Sequence, residues 1–330
     1  MITEVAPGLQ RIALPLGEGP LGAVNVYLVK GDDGPVLIDT GWQTPEALAA
    51  LEAALATLGR RPADLRLIVL THAHPDHCGL VVKLRALSGA PVLLHPDDAP
   101  LVDPRRLHGD AWASETGAWL ARHGLPPAES VAAEPVTGRF AALMPPFQPD
   151  GSLRDGEHLS LGRFTFQVRW TPGHSPGHVC LYEPGAGLLI AGDHVLPTIS
   201  PNIGLVTPAW GNPLGDYLAS LARTRDLPVA VVLPGHGEPF AGLAARVDAL
   251  IAHHEARLAE MLDVLRAGPL TAFVLCARLS WAGGRVRWGD LPPFQHVLAL
   301  TETIAHLELL CSRGAATRWE AGGTICYAAG

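Results

Sequence analysis

Apolar and polar positions alternate in short blocks through the first third of the chain. Leu9–Leu14, Val24–Val29 and Val36–Ile38 are runs of strand length, separated by the Gly-rich turns GEGPLG and GDDG, and the last stops at Asp39-Thr40-Gly41. The period then becomes helical. Leu48, Leu51, Leu55 and Leu58 recur on one face, Thr44 stands where an N-cap belongs, Pro45 suits the first helical position, and Gly59 ends the segment. LRLIVL (65–70) is an unbroken apolar run, as a strand buried on both faces requires, and it leads directly into THAHPDHCG. A helix is predicted over 79–88 and a strand over PVLLH (91–95), which completes a β-α-β-α-β rhythm.

Residues 97–150 break that rhythm with scattered aromatics (Trp112, Trp119, Phe140, Phe147) and prolines, and read as a helical insertion: either a lid or a packed excursion away from substrate. Strand patterns return in HLSLG, RFTFQVRW, HVCLYE and GLLIAGD between 153 and 193, implying a second sheet. A helix over 216–227 and a buried strand, VAVVLP (229–234), then feed PGHG. After Phe240 the pattern predicts a long helix (242–266), a shorter one opened by Thr271 (271–279), a third (293–310), and two short strands about Gly322-Gly323. That order is winged-helix-like. The third helix has no Lys or Arg, and 242–330 balances eight Arg against eight Asp and Glu, so packing or homodimerisation is expected there in place of DNA binding. The predicted class is α/β, with domains at 1–240 and 241–330, the second smaller and mainly helical.

Composition narrows the function. Of 330 residues, 48% are hydrophobic and 17% charged, which excludes a disordered chain. The net charge of −8, with Lys30 and Lys83 the only lysines, leaves no field to hold a nucleic acid, so a small-molecule substrate is expected. Five cysteines without a CxxC pair fit a reducing compartment. MITEVAPGLQ lacks a basic and then apolar leader, and no run of about 18 apolar residues occurs. A soluble, cytoplasmic protein without a membrane partner is the expectation.

The chemistry lies in the histidines. Seven of 15 fall within four segments, THAHPDH (71–77), PGHSPGH (172–178), GDH (192–194) and PGHG (234–237), each just after a predicted strand. Strand ends are where α/β sheets bind ligands. His72 and His74, two apart in an extended segment, point to one side and can share a metal. Pro75 ends that stretch, and Asp76-His77 open the next helix toward a neighbouring point that a second ion could occupy. No GxSxG nucleophile motif is present.

With DTG (39–41), THAHPDH, TPGHSPGH, GDH and PGHG in this order over residues 1 to about 240, the chain resembles metallo-β-lactamase-fold hydrolases of the glyoxalase-II-like, β-lactamase-like branch. The resemblance implies a four-layer αβ/βα sandwich with two divalent ions, usually Zn²⁺ and in some members Fe or Mn, at one edge. His72, His74 and His174 would hold the first ion, Asp76, His77 and His236 the second, and Asp193 would bridge them. Five neutral imidazoles and two carboxylates leave such a pair with a charge of +2, so a bridging hydroxide forms near neutral pH, metal having lowered the water pKa from 15.7 to about 7.

Asp76 and Asp193 are thus catalytic candidates. His178 is another, as a proton carrier or substrate contact, with a hydrogen bond fixing the loop as its alternative. Asp39 is expected to orient the site from behind the ligands, and His194 to neighbour it while pointing away. An ester, thioester or lactone is the expected substrate class. The alternatives are a phosphodiesterase or ribonuclease, which the acidic balance disfavours, and an iron oxidoreductase of the persulfide dioxygenase type.

Overall fold

A computed structural model of the chain describes all residues except 18–20, 104–109, 128–145, 205–209 and 282–283, and all of their side chains except those of 110–114 and 293–294. Contacts divide it into two compact units: 1–108, 140–201 and 220–247 form the first, and 109–139, 202–219 and 248–330 the second.

The first unit carries two sheets. β1 (Ile2–Ala6), β2 (Leu9–Pro15), β3 (Ala23–Val29), β4 (Val36–Ile38), β5 (Leu67–Val69), β6 (Val92–Leu94) and β7 (Gly151–Ser152) lie in sequence order. β1 to β4 pair antiparallel and β4 to β7 parallel. The second sheet has the order β12-β11-β10-β9-β8, from β8 (His158–Leu161), β9 (Phe164–Trp170), β10 (Val179–Glu183), β11 (Leu188–Gly192) and β12 (Val231–Pro234). Only β11 and β12 pair parallel.

Period-two alternation sorts the first sheet's side chains between two cores. Val24, Val26, Leu28, Leu37 and Ile68 pack under α1 (Pro45–Thr57) and, beyond the one-turn α2 (Pro75–Cys78), α3 (Val81–Ser88). Tyr27, Val29, Ile38 and Val69 face the other way, against Phe166, Val168, Leu181 and Ile190 of the second sheet. This is the αβ/βα sandwich. Thr44 caps α1 as its sequence predicts, its hydroxyl accepting from the Ala47 N–H at 3.1 Å. The helix expected over 79–88 is α3, which begins at Val81, after Gly79 and Leu80 separate it from α2. Gly79 passes so close to Pro75 O, Gln43 N and Gly41 O that a Cβ there would sit 2.5, 2.6 and 3.0 Å from them.

Further along are α4 (Asp110–Arg122), α5 (Pro213–Thr224), α6 (Leu243–Leu265), α7 (Ala272–Arg278) and α8 (Pro293–Ser312). Within the second unit β13 (Leu270–Thr271) joins the terminal hairpin in the order β13-β17-β16, from β16 (Ala316–Ala321) and β17 (Thr324–Ala329). β14 (Ser280–Trp281) and β15 (Val286–Arg287) form a separate ribbon. Thr271 caps α7 through Val274 N–H. Of the adjacent pair His253-His254, His254 is buried with Nδ1 3.1 Å from His306 Nε2, a packing role. Much of the 97–150 insertion, including Phe140 and the Trp112 side chain, lies outside the described residues, so its reading as a lid does too. Among the described residues no helix is long and apolar enough to cross a membrane.

Candidate metal centre

Topology brings the motifs to one edge. β4 and β5 run parallel, so Asp39 and the 71–77 segment leave the first sheet at the same end. β9 is parallel to β11, both being antiparallel to β10, and β11 is parallel to β12, so 171–178, Asp193 and 234–237 leave the second sheet together. C-terminal strand ends are where such sheets collect ligand-binding groups.

The seven residues carried over from the resemblance converge there. His72 Nε2 lies 3.1 Å from His74 Nδ1, which lies 2.8 Å from His174 Nε2. Asp76 Oδ2 is 3.2 Å from His236 Nε2 and 3.7 Å from His77 Nε2. Asp193 stands between the two sets: Oδ2 is 3.5 Å from His174 Nε2 and 3.4 Å from His236 Nε2, and Oδ1 is 3.6 Å from His77 Nε2. A tetrahedral ion with bonds of about 2.0–2.1 Å has ligand–ligand edges of about 3.3 Å, and these spacings scatter around that value. His72/His74/His174, His72/His77/Asp193 and Asp76/His77/His236 are each able to hold a metal ion.

Hydrogen bonding behind the ligands sets which nitrogen is free. Asp39 Oδ2 accepts from His77 Nδ1 and from the Thr71 hydroxyl, both at 2.8 Å, and Oδ1 accepts from Thr71 N–H at 2.8 Å. With its proton committed to Asp39, the Thr71 oxygen accepts from His72 Nδ1 at 3.0 Å. His236 Nδ1 donates to Ala23 O at 2.8 Å. In all three rings Nδ1 donates outward and Nε2 faces the cluster, the arrangement that outer partners give metal-ligating imidazoles. Buried His77 Nε2, His236 Nε2 and Asp193 Oδ1 have no hydrogen-bond partner, a costly arrangement that a cation among them would relieve. The residues therefore fit a metal.

Charge agrees. Burial, reinforced by neighbouring imidazoles, lowers His72 well below the usual histidine range; burial likewise brings His74 down to about 3, so both lone pairs are available. Burial also opposes charge on His77 and His236, but the neighbouring carboxylates prevail and raise His77 well above the usual value and His236 to about 10. Asp76 and Asp193 thus create a strongly negative point that draws positive charge to it. Of the seven, only His74 and Asp76 are partly exposed, so the cluster opens to solvent on their side.

Asp39 has a φ of 59°, the only positive value at a non-glycine position among the described residues. Such strain persists where surroundings over-determine it, and here three hydrogen bonds do. His178 is fully buried, its Nε2 accepting from Asp193 N–H at 3.1 Å and its Nδ1 donating to Thr171 Oγ1 at 2.8 Å. Both nitrogens are spent on the loop, the arrangement expected of its loop-fixing alternative. His194 turns away to Thr224 Oγ1 at 3.1 Å. Trp210 donates its indole N–H to Asp216, while the neighbouring 205–209 lie outside the described residues.

The sequence motifs miss the cradle of the PGHG loop. Asn25 Nδ2 donates to Pro234 O and Gly237 O, Tyr27 Oη to Pro234 O, and buried Arg11 pairs with Glu238. The available signal is a polar Asn inside the apolar run AVNVYLV.

A sandwich with a metal-competent His/Asp edge defines a class of metallo-hydrolases. Residues 19–236 match the family model described as the metallo-beta-lactamase superfamily, and the chain belongs to that superfamily. It is 31% identical to the probable metallo-hydrolase YqjP of Bacillus subtilis (strain 168) over 93% of both chains. It is similar to the metallo-beta-lactamase family protein TTHA1429 from Thermus thermophilus, with TM-score 0.82 and 36% identity, over 99% of this chain and 100% of that one. At 29% identity over 66% of this chain and 73% of the other, it is also similar to the acyl-coenzyme A thioesterase MBLAC2 of Gallus gallus.

Proposed function

We propose that the chain is a dinuclear metal-dependent hydrolase of a small ester, thioester or lactone. The observation that carries this reading is the meeting of two ligand triads at one carboxylate, Asp193, with the buried Nε2 atoms of His77 and His236 left without a hydrogen-bond partner. His72, His74 and His174 would hold one ion, Asp76, His77 and His236 the other, and Asp193 would reach both. The N/O donor set suits zinc best, while iron or manganese accept the same ligands. Bound there, divalent cations supply an acidified water and polarisation of an acyl oxygen.

The chain's own residues do the rest. Asp39 and Thr71 keep His77 and His72 in the ligating tautomer, and His178 holds the main chain of Asp193. The opening at His74 and Asp76 admits substrate, and places the Asp76 carboxylate where it can orient an attacking water by accepting its hydrogen. The net charge of −8 weighs against a long polyanion, and the resemblance to an acyl-coenzyme A thioesterase favours acyl transfer to water. Five free cysteines fit a reducing, cytoplasmic setting.

Zinc-loaded protein assayed against a thioester, a lactone and a phosphodiester tests the substrate class. Turnover of the thioester or lactone is expected, with the phosphodiester at least about tenfold slower, a barrier difference of about 1.4 kcal/mol. Preference for the phosphodiester would overturn the acyl assignment.

A further inference from the structure

Asp98 belongs to none of the histidine motifs. It follows β6 in LLHPDD and is fully buried, with three hydrogen-bond donors aimed at its carboxylate. Oδ2 accepts from Ala73 N–H at 2.8 Å and from Ser175 Oγ at 2.7 Å, and Oδ1 accepts from Gly177 N–H at 2.5 Å. Burial pushes this carboxyl up to about 6 against the pull of those donors. A buried carboxylate is tolerated when several donors saturate it.

The donors' positions give the carboxylate its meaning. Ala73 lies between His72 and His74, and Ser175 follows His174, so one side chain ties together two segments a hundred residues apart that supply one ligand triad. The fit is built from both sides. A Cβ on Gly177 would lie 2.6 Å from Asp98 N and 2.9 Å from its Cβ and Cγ, so only glycine lets the 172–178 loop approach this closely.

We propose that Asp98 is a positioning residue that clamps the 71–77 and 172–178 loops and sets the spacing of His72, His74 and His174 as ligands of one ion. The proposal rests on the reading of that triad as a metal site. Asp98 touches none of the three rings. Its effect passes through the main chain of Ala73 and Gly177 and the hydroxyl of Ser175 beside them, and it should act on that triad and not on Asp76/His77/His236.

The test is titration of metal-free wild type, Asp98→Ala, Asp98→Asn and Ser175→Ala with cobalt(II), followed by calorimetry and visible absorption, with thermal melting of the metal-free proteins to check folding. Asp98→Ala is expected to weaken one of two binding events by about 10–100-fold, the usual cost of an outer partner, to alter the absorption of that site, and to leave the other event unchanged. Ser175→Ala, which removes one bond, should give a smaller loss. Asp98→Asn should fall between, because its amide can accept from Ala73 and Ser175 but turns an NH2 toward Gly177 N–H. Wild-type affinity and spectrum in Asp98→Ala would overturn the clamp while leaving the metal reading intact. If Asp98→Ala does not fold, wild-type binding by both other variants overturns it equally. Wild type that binds no cobalt would remove the metal reading, and the clamp with it.

Discussion

Asp193→Ala is expected to abolish hydrolysis and to weaken ion binding at both triads, by more than about 100-fold, beyond the range that an outer-shell change costs. Asp193 is the residue whose two oxygens lie 3.4–3.6 Å from His174, His236 and His77, members of both ligand sets. Replacing His178, which holds the Asp193 main chain without joining the cluster, should be milder. Turnover and zinc titration of the two variants check this. Full turnover in Asp193→Ala would make the bridging assignment wrong.

Gly235→Ala is expected to damage the centre as severely without removing a single ligand. Gly235 has no positive φ, so backbone strain is not the reason for glycine there. Space is. A Cβ on it would collide with Asp193 Oδ1 and lie 2.8 Å from His77 Cε1 and 3.1 Å from the Gly192 carbonyl carbon. Neither side chain can yield cheaply, since Asp39 pins His77 and the Asp193 main chain is tied to His178. Overpacking of this kind costs about 1–3 kcal/mol of stability. The methyl group would also sit where Asp193 must face the cation, so zinc affinity should fall more than the melting temperature suggests. Zinc affinity equal to wild type would show that the loop can shift, contrary to the account.

The fold was legible where burial and period coincide. Runs such as LRLIVL and VAVVLP became β5 and β12 because a strand covered on both faces has no polar position to obscure it. β1 escaped because its residues are half exposed and lack alternation, and the two-residue β7 is too short to leave a pattern. The metal cluster was legible for a related reason: His72, His74, Asp76 and His77 sit within six residues, so local geometry alone groups them. Its support was not. Asp98 meets Gly177 across 79 residues, and Asn25 meets Pro234 across 209, contacts that exist only once the two sheets have stacked. His178 fell between these cases, its position in the motif being plain while its direction depended on where Gly192 and Asp193 return.

We propose that this edge holds two ions through the seven side chains named above. The most direct measurement is elemental analysis of the purified protein after equilibrium dialysis against zinc and removal of loosely held metal. Two zinc ions per wild-type chain are expected. One ion or none per folded wild-type chain would contradict the proposal.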